Sequence, residues 1–157
     1  MKLYPLVPTS RLATNIDNIS RRLRIDVLTL EYAPLSGIII LADGTPDDYA
    51  VAVISYRLNG ERTIGIVKPE EKRLGIFGSL PIYLKYKVDR IAVLIDQETE
   101  DLAFIFNEIK RRVLETGIVI QDVVEDERLR VYRCERGAKK FQLISIVNGL
   151  SEYSFKR

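Results

Sequence analysis

The sequence predicts an α/β protein: a mainly parallel central sheet flanked by helices, with additional β-strands at the C-terminal end. Three observations carry this prediction. The apolar runs IIILA at 38–42 and IAVLI at 91–95 lack period-2 alternation, the pattern of strands buried on both faces of a parallel sheet. Around them stand segments whose apolar residues recur every three or four positions, as in helices with one buried face. Beyond Gly117 the chain turns to strand-like runs separated by turn residues.

Composition narrows the chemistry. With 157 residues, 46% hydrophobic and 29% charged, the chain has enough apolar material for one core, so a single domain is expected over 1–157. A net charge of +2 gives no global field of the kind that marks a nucleic-acid binder, and any basic surface must be local. His is absent and Cys134 is the single cysteine, which excludes an intramolecular disulfide, a zinc cluster and a Cys/His catalytic pair within one chain. Carboxylates, Lys, Arg, Tyr, Ser and Thr remain for acid/base work, and oxygen-ligated Mg2+ or Mn2+ is the natural metal. MKLYPLVPTSR lacks the continuous apolar core of a signal peptide and no later run reaches membrane-spanning length, so a cytoplasmic protein with no membrane partner is expected. Abundant Ile, Glu, Lys and Arg without Trp or His resemble thermophile usage.

Taken in order, residues 10–22 fit a helix with Ser10 as N-cap and Leu12, Ile16, Ile19 and Leu23 along one face. Residues 23–32 read as a strand, ended by the turn at 34–37, and 38–42 as a second, buried one. Asp43 follows at once. Thr45, Pro46 and Asp48 then make a helix start, with an apolar face through Ala50, Val53, Ile54 and Leu58 and a stop at Asn59-Gly60. Residues 63–67 form a strand, which 74–77 is expected to pair across a polar turn at 69–72. Ser79 is placed as the N-cap of a short helix over 80–86. The apolar run beginning at Arg90 leads to Asp96 and Glu98. Thr99 then caps a long helix with inner face Leu102, Ile105, Phe106, Ile109 and Val113, ending at Gly117, while Lys110, Arg111 and Arg112 favour its negative dipole end. The remainder reads as strands 118–124, 129–134 and 141–147, and Arg128, Arg130, Arg133, Arg136, Lys139 and Lys140 make this end locally basic.

The chemistry is placed at the strand ends. In open α/β sheets ligands bind just beyond the carboxyl ends of the strands. Asp96 and Glu98, two apart in extended chain, would point to one side there and could hold a hard cation; Asp43 would occupy the equivalent end of another strand. The alternative is that acids after a strand cap the next helix or face water.

The stretches LADGTPDDYAVAVISYRL, GIFGSLPIYLKY and DRIAVLIDQETEDLAFIFNEIKRRV together resemble a small Toprim domain, the fold of topoisomerases, bacterial primases, OLD-family nucleases and ribosomal-RNA maturases. The nearest likeness is to short stand-alone archaeal and bacterial Toprim-like proteins. Toprim domains carry an acid, usually Glu before Gly, after the first core strand and an Asp-x-Asp pair after a later one. Asp43 before Gly44 takes the first position and Asp96-Gln97-Glu98 the second, so the first acid is one methylene shorter and the last one longer. The resemblance implies a Toprim-like core over 38–124, a helix/strand extension over 1–37 and a β extension over 125–157. It further implies Mg2+-dependent phosphoryl transfer on RNA or DNA, most readily as a nuclease. Asp43, Asp96 and Glu98 would be the catalytic and metal-binding carboxylates, and Lys68, Lys72, Arg73 and Lys85 would bind substrate. A homodimer is compatible with this reading. Two others stay open: a non-catalytic Toprim-fold binding or assembly module with a degenerate acidic site, and a nucleotide-binding regulatory domain, the latter weakened by the lack of a P-loop lysine motif and of GxGxxG.

Overall fold

The computed structural model describes residues 2–5, 26–27, 38–42, 63–67 and 69–149. The expected helices over 10–22 and 45–58, together with Asp43 and Lys68, lie outside the described residues.

The class is mixed α/β, as the apolar runs require. An eight-stranded sheet forms from β1 (Lys2–Pro5), β2 (Asp26–Val27), β3 (Ile38–Ala42), β4 (Thr63–Val67), β5 (Arg90–Asp96), β6 (Val119–Glu125), β7 (Leu129–Arg136) and β8 (Lys139–Asn148), in the order β2-β1-β4-β3-β5-β8-β7-β6. All pairs from β2 to β8 in that order are parallel, and the β8-β7-β6 end is an antiparallel meander. Three further elements complete the description: a 3-10 helix at Arg73–Ser79, α1 at Leu80–Tyr83 and α2 at Leu102–Glu115.

The two apolar runs became the interior strands β3 and β5. Ile39 is registered against Ile91 and Leu41 against Val93; Ile91 and Ile95 are in turn registered against Leu143 and Val147 of β8. All of these side chains are buried and belong to one cluster. Alternation puts them on one face, and that face is covered by Ile105, Phe106, Ile109 and Val113 of α2 and by Leu74, Ile76 and Phe77 of the 3-10 helix. Each fully buried aliphatic side chain of this kind contributes about 1.5–3 kcal/mol relative to an exposed one. The opposite face is also shielded, with Ile40, Ala92 and Ala42 buried.

The local signals held in part. The inner face of α2 is the expected one, and Gly117 at φ 77 leaves the helix in the left-handed conformation that glycine adopts without steric penalty. The cap is not Thr99 but Asp101, whose Oδ2 accepts from the backbone N–H of Ala103 at 2.9 Å and of Phe104 at 3.3 Å. Thr99 lies too far ahead, because the chain still turns through 97–100 after the strand, with the Glu100 N–H donating to the Gln97 carbonyl. Arg111 pairs with Glu108 and Glu115, so the basic triplet is partly tied along its own helix.

Residues 74–77 do not form a strand. β4 is hydrogen-bonded to β1 on one side and β3 on the other, which leaves no edge for 74–77 to join. The run coils into the 3-10 helix instead and buries Leu74, Ile76 and Phe77 beside α2. The following helix is also shorter than expected, ending at Tyr83, and Ser79 does not cap it: the Ser79 hydroxyl is buried and donates to the Ile76 carbonyl at 2.8 Å. Within the expected strand over 23–32, Asp26–Val27 is strand and the other residues lie outside the described ones, while β1 is a strand that the sequence pattern does not mark.

Burial pushes the Cys134 thiol on β7 up from 9.0 to about 11. The unfolded thiol ionises first, so this contribution is complete below pH 9.0 and is lost as pH rises toward about 11. Urea unfolding of the wild type should therefore show stability falling across that window, and Cys134→Ala should flatten this part of the profile. An unchanged slope in the variant would contradict the assignment.

Candidate functional site

The candidate site is the carboxyl end of β3 and β5. These strands are adjacent, parallel and in register up to Ala42 opposite Leu94. The residue after Ala42 in the sequence is Asp43, and two after Leu94 is Asp96. Asp96 ends β5 as an exposed residue, registered with Asn148 of β8.

Glu98 does not continue the extended chain. The strand stops at Asp96, and Glu98 has φ 53, in the left-handed region that costs a non-glycine residue roughly 1 kcal/mol or more. The expectation that Asp96 and Glu98 project to one side as alternate residues of a strand is thereby corrected. An arginine meets the turn here. Arg73 Nη1 lies 3.2 Å from Glu98 Oε2, and Nη2 lies 2.5 Å from Glu100 Oε2. Nη2 also donates to the backbone carbonyls of Asp96 and Gln97, each at 3.4 Å. Arg73 itself has φ 48, so both ends of the Arg73–Glu98 pair sit in left-handed backbone. Such conformations persist where surrounding interactions over-determine them. Arg73, expected to bind substrate phosphate, turns its planar fork toward the protein's own carboxylates and carbonyls.

A second arginine secures the same turn. Arg128 Nη1 donates to Gln97 Oε1 at 2.8 Å, and the Gln97 amide nitrogen donates to the Glu100 carbonyl at 3.0 Å. Gly149, at φ 152, passes so close that an added Cβ would stand 3.0 Å from the Gln97 side chain. Gln97, Glu100 and Arg128 were not anticipated as residues of this site, Arg128 having been placed only in the basic C-terminal end. Glu100 carried a signal as one more acid beyond the strand and Arg128 as part of a basic end; the link from Arg73 to residues 96–100 crosses more than twenty positions of sequence and has no local mark.

The other expected cations fare differently. Lys72 and Lys85 are exposed, the latter with its ammonium 5.3 Å from the Tyr86 ring centre. The basic C-terminal end is largely engaged internally. Arg130 stacks 4.2 Å from the Phe106 ring centre, Arg133 pairs with Asp122 at 2.8 Å, and Lys139 donates to the carbonyls of Leu84, at 2.7 Å, and Tyr86. Tyr83 is buried in the core cluster, and burial pushes its phenol up. Among the described residues no group of three or more His, Cys, Asp or Glu is placed to hold a metal ion, and no helix is long and apolar enough to cross a membrane.

The chain matches no protein-family model, no curated protein and no solved structure.

Replacing Glu98 separates backbone from charge. Glu98→Gly and Glu98→Ala both lose the ion pair, but only Gly tolerates φ 53 freely, so Glu98→Gly should be about 1 kcal/mol the more stable in chemical denaturation. Equal stability would show that the left-handed turn carries no strain.

Proposed function

We propose that this protein is a non-catalytic Toprim-like binding or assembly module in which a guanidinium serves the carboxylates at the carboxyl end of its central strands. The observation that carries the reading is Arg73 held between Glu98, at 3.2 Å, and Glu100, at 2.5 Å. A Mg2+ site needs carboxylate oxygens converging on one small, octahedral centre. Here Glu98 turns toward Arg73, and Glu100 does the same. Arginine cannot lose its proton in a protein, so it supplies positive charge at every physiological pH without a metal. In exchange it gives up what a metal offers phosphoryl transfer, namely open coordination positions for a phosphate oxygen.

A second reading, Mg2+- or Mn2+-dependent cleavage of RNA or DNA, is favoured by one observation. Asp96 is exposed, makes no ion pair among the described residues, and ends a strand adjacent to the one that leads into Asp43. In this reading Asp96 and Asp43 hold the cation, Glu98 joins them on leaving Arg73, and Lys72 and Lys85 meet the nucleic-acid backbone. The Toprim likeness supports the relation of the strand ends in both readings, and a homodimer is open to either.

Titration with Mg2+ and Mn2+ distinguishes them. In the module reading, the melting temperature of the wild type is unmoved by either metal and is the same in Asp96→Asn, while Arg73→Gln, which leaves Glu98 and Glu100 uncompensated, becomes stabilised by metal. Metal binding by the wild type that disappears in Asp96→Asn, together with metal-dependent cleavage of RNA or DNA, would overturn the module reading in favour of the nuclease.

A further inference from the structure

At the opposite end of the sheet, where β5 begins, lies a cleft of about 650 Å³ with no part in the site above. Its position follows from the register. Arg90 of β5 is opposite Gln142 of β8, Gln142 is opposite Arg133 of β7, and Arg133 is opposite Asp122 of β6. The neighbours Ile91, Leu143 and Tyr132 point into the core beneath α2, so alternation turns Arg90, Gln142 and Arg133 to the other face as one row across three strands. Lys140, two residues before Gln142, lies on that same face and is exposed.

The β6–β7 register slips between Ile120 and Asp122, and the residue released by this bulge is Gln121, which lines the cleft. Bulges re-aim side chains in this way. Arg90 and Lys140 make no ion pair among the described residues, unlike the arginines at the other end of the sheet, which are bound into turns. Arg133 gives one nitrogen to Asp122 and retains further donors. Asp89 and Glu135 also line the cleft, so the charge is mixed.

That mixture selects a ligand class. A long polyanion would meet Asp89 and Glu135 as repulsive groups. A ligand with one compact anionic head and a body rich in hydroxyl donors would satisfy both sets: its phosphate on Arg90 and Lys140, its hydroxyls on the carboxylates, as acids hold ribose hydroxyls in dinucleotide-binding folds. The amides of Gln121 and Gln142 can each donate and accept toward the rest of the body. The volume lies within the range of small-molecule clefts and well beyond what a lone phosphate fills. We infer that this cleft binds a sugar phosphate, up to the size of a nucleoside monophosphate.

Calorimetric titration with AMP, ribose 5-phosphate, adenosine and inorganic phosphate tests this on the full chain, with Arg90→Gln and Lys140→Gln as variants whose folding is checked by circular dichroism. AMP or ribose 5-phosphate should bind at least about tenfold more tightly than adenosine or phosphate, and each variant should lose about tenfold of that affinity. Should Arg90→Gln fail to fold, Lys140→Gln decides alone, since its side chain is exposed. Phosphate or adenosine binding as tight as the better bound of AMP and ribose 5-phosphate, affinity unchanged in the folded variants, or no binding by AMP and ribose 5-phosphate would each overturn the inference.

Discussion

β5 is hydrogen-bonded on both edges, to β3 and to β8, and its core-facing side chains are buried without remainder. A strand so enclosed can carry charge only at its ends, because an unpaired ion inside would cost several kcal/mol. The sequence obeys this: Arg90 opens the strand, Asp96 closes it, and only apolar residues stand between. Both sites follow from that constraint. One gathers at the carboxyl end around Arg73, the other at the amino end around Arg90.

The two ends are built differently. At the carboxyl end the cation is consumed, since Arg73 is shared among Glu98, Glu100 and backbone carbonyls of the turn. The same contacts link the start of the 3-10 helix to the chain entering α2, and these two elements together cover the core face of β5. The arginine is therefore structural in its effect whatever else the site does: it couples the lid of the core to the end of its central strand. At the amino end Arg90 and Lys140 make no ion pair among the described residues, Arg133 is paired with Asp122, and the space beside them is a cleft.

What could be read in the sequence was set by range. The bounds of β3 and β4 agree with the apolar runs, and the inner face of α2 with its periodicity, because burial of a whole strand or of one helix stripe leaves a local pattern. The run Leu74-Gly75-Ile76-Phe77 is too short for its period to separate strand from helix, and the occupied edges of β4, which decide the matter, appear only in the assembled sheet. β1 was missed because four residues ending in proline give little pattern. At the site, Asp96 and Glu98 were visible as acids after a strand and Arg73 as a candidate substrate-binding cation, but their pairing was not: only the fold brings Arg73 to residues 96–100. Asp43 lies outside the described residues, so its part rests on the sequence.

The central claim is that Arg73 and the acids beyond β5 form a coupled unit. A double-mutant cycle with Arg73→Gln and Glu98→Gln, read by chemical denaturation at low salt, measures that coupling directly. With Glu98 largely exposed and Arg73 mostly covered, the two changes should be non-additive by at least about 0.5 kcal/mol in the stabilising sense. Additivity to within about 0.3 kcal/mol would contradict the account, leaving the arginine and the glutamate as neighbours without consequence for one another.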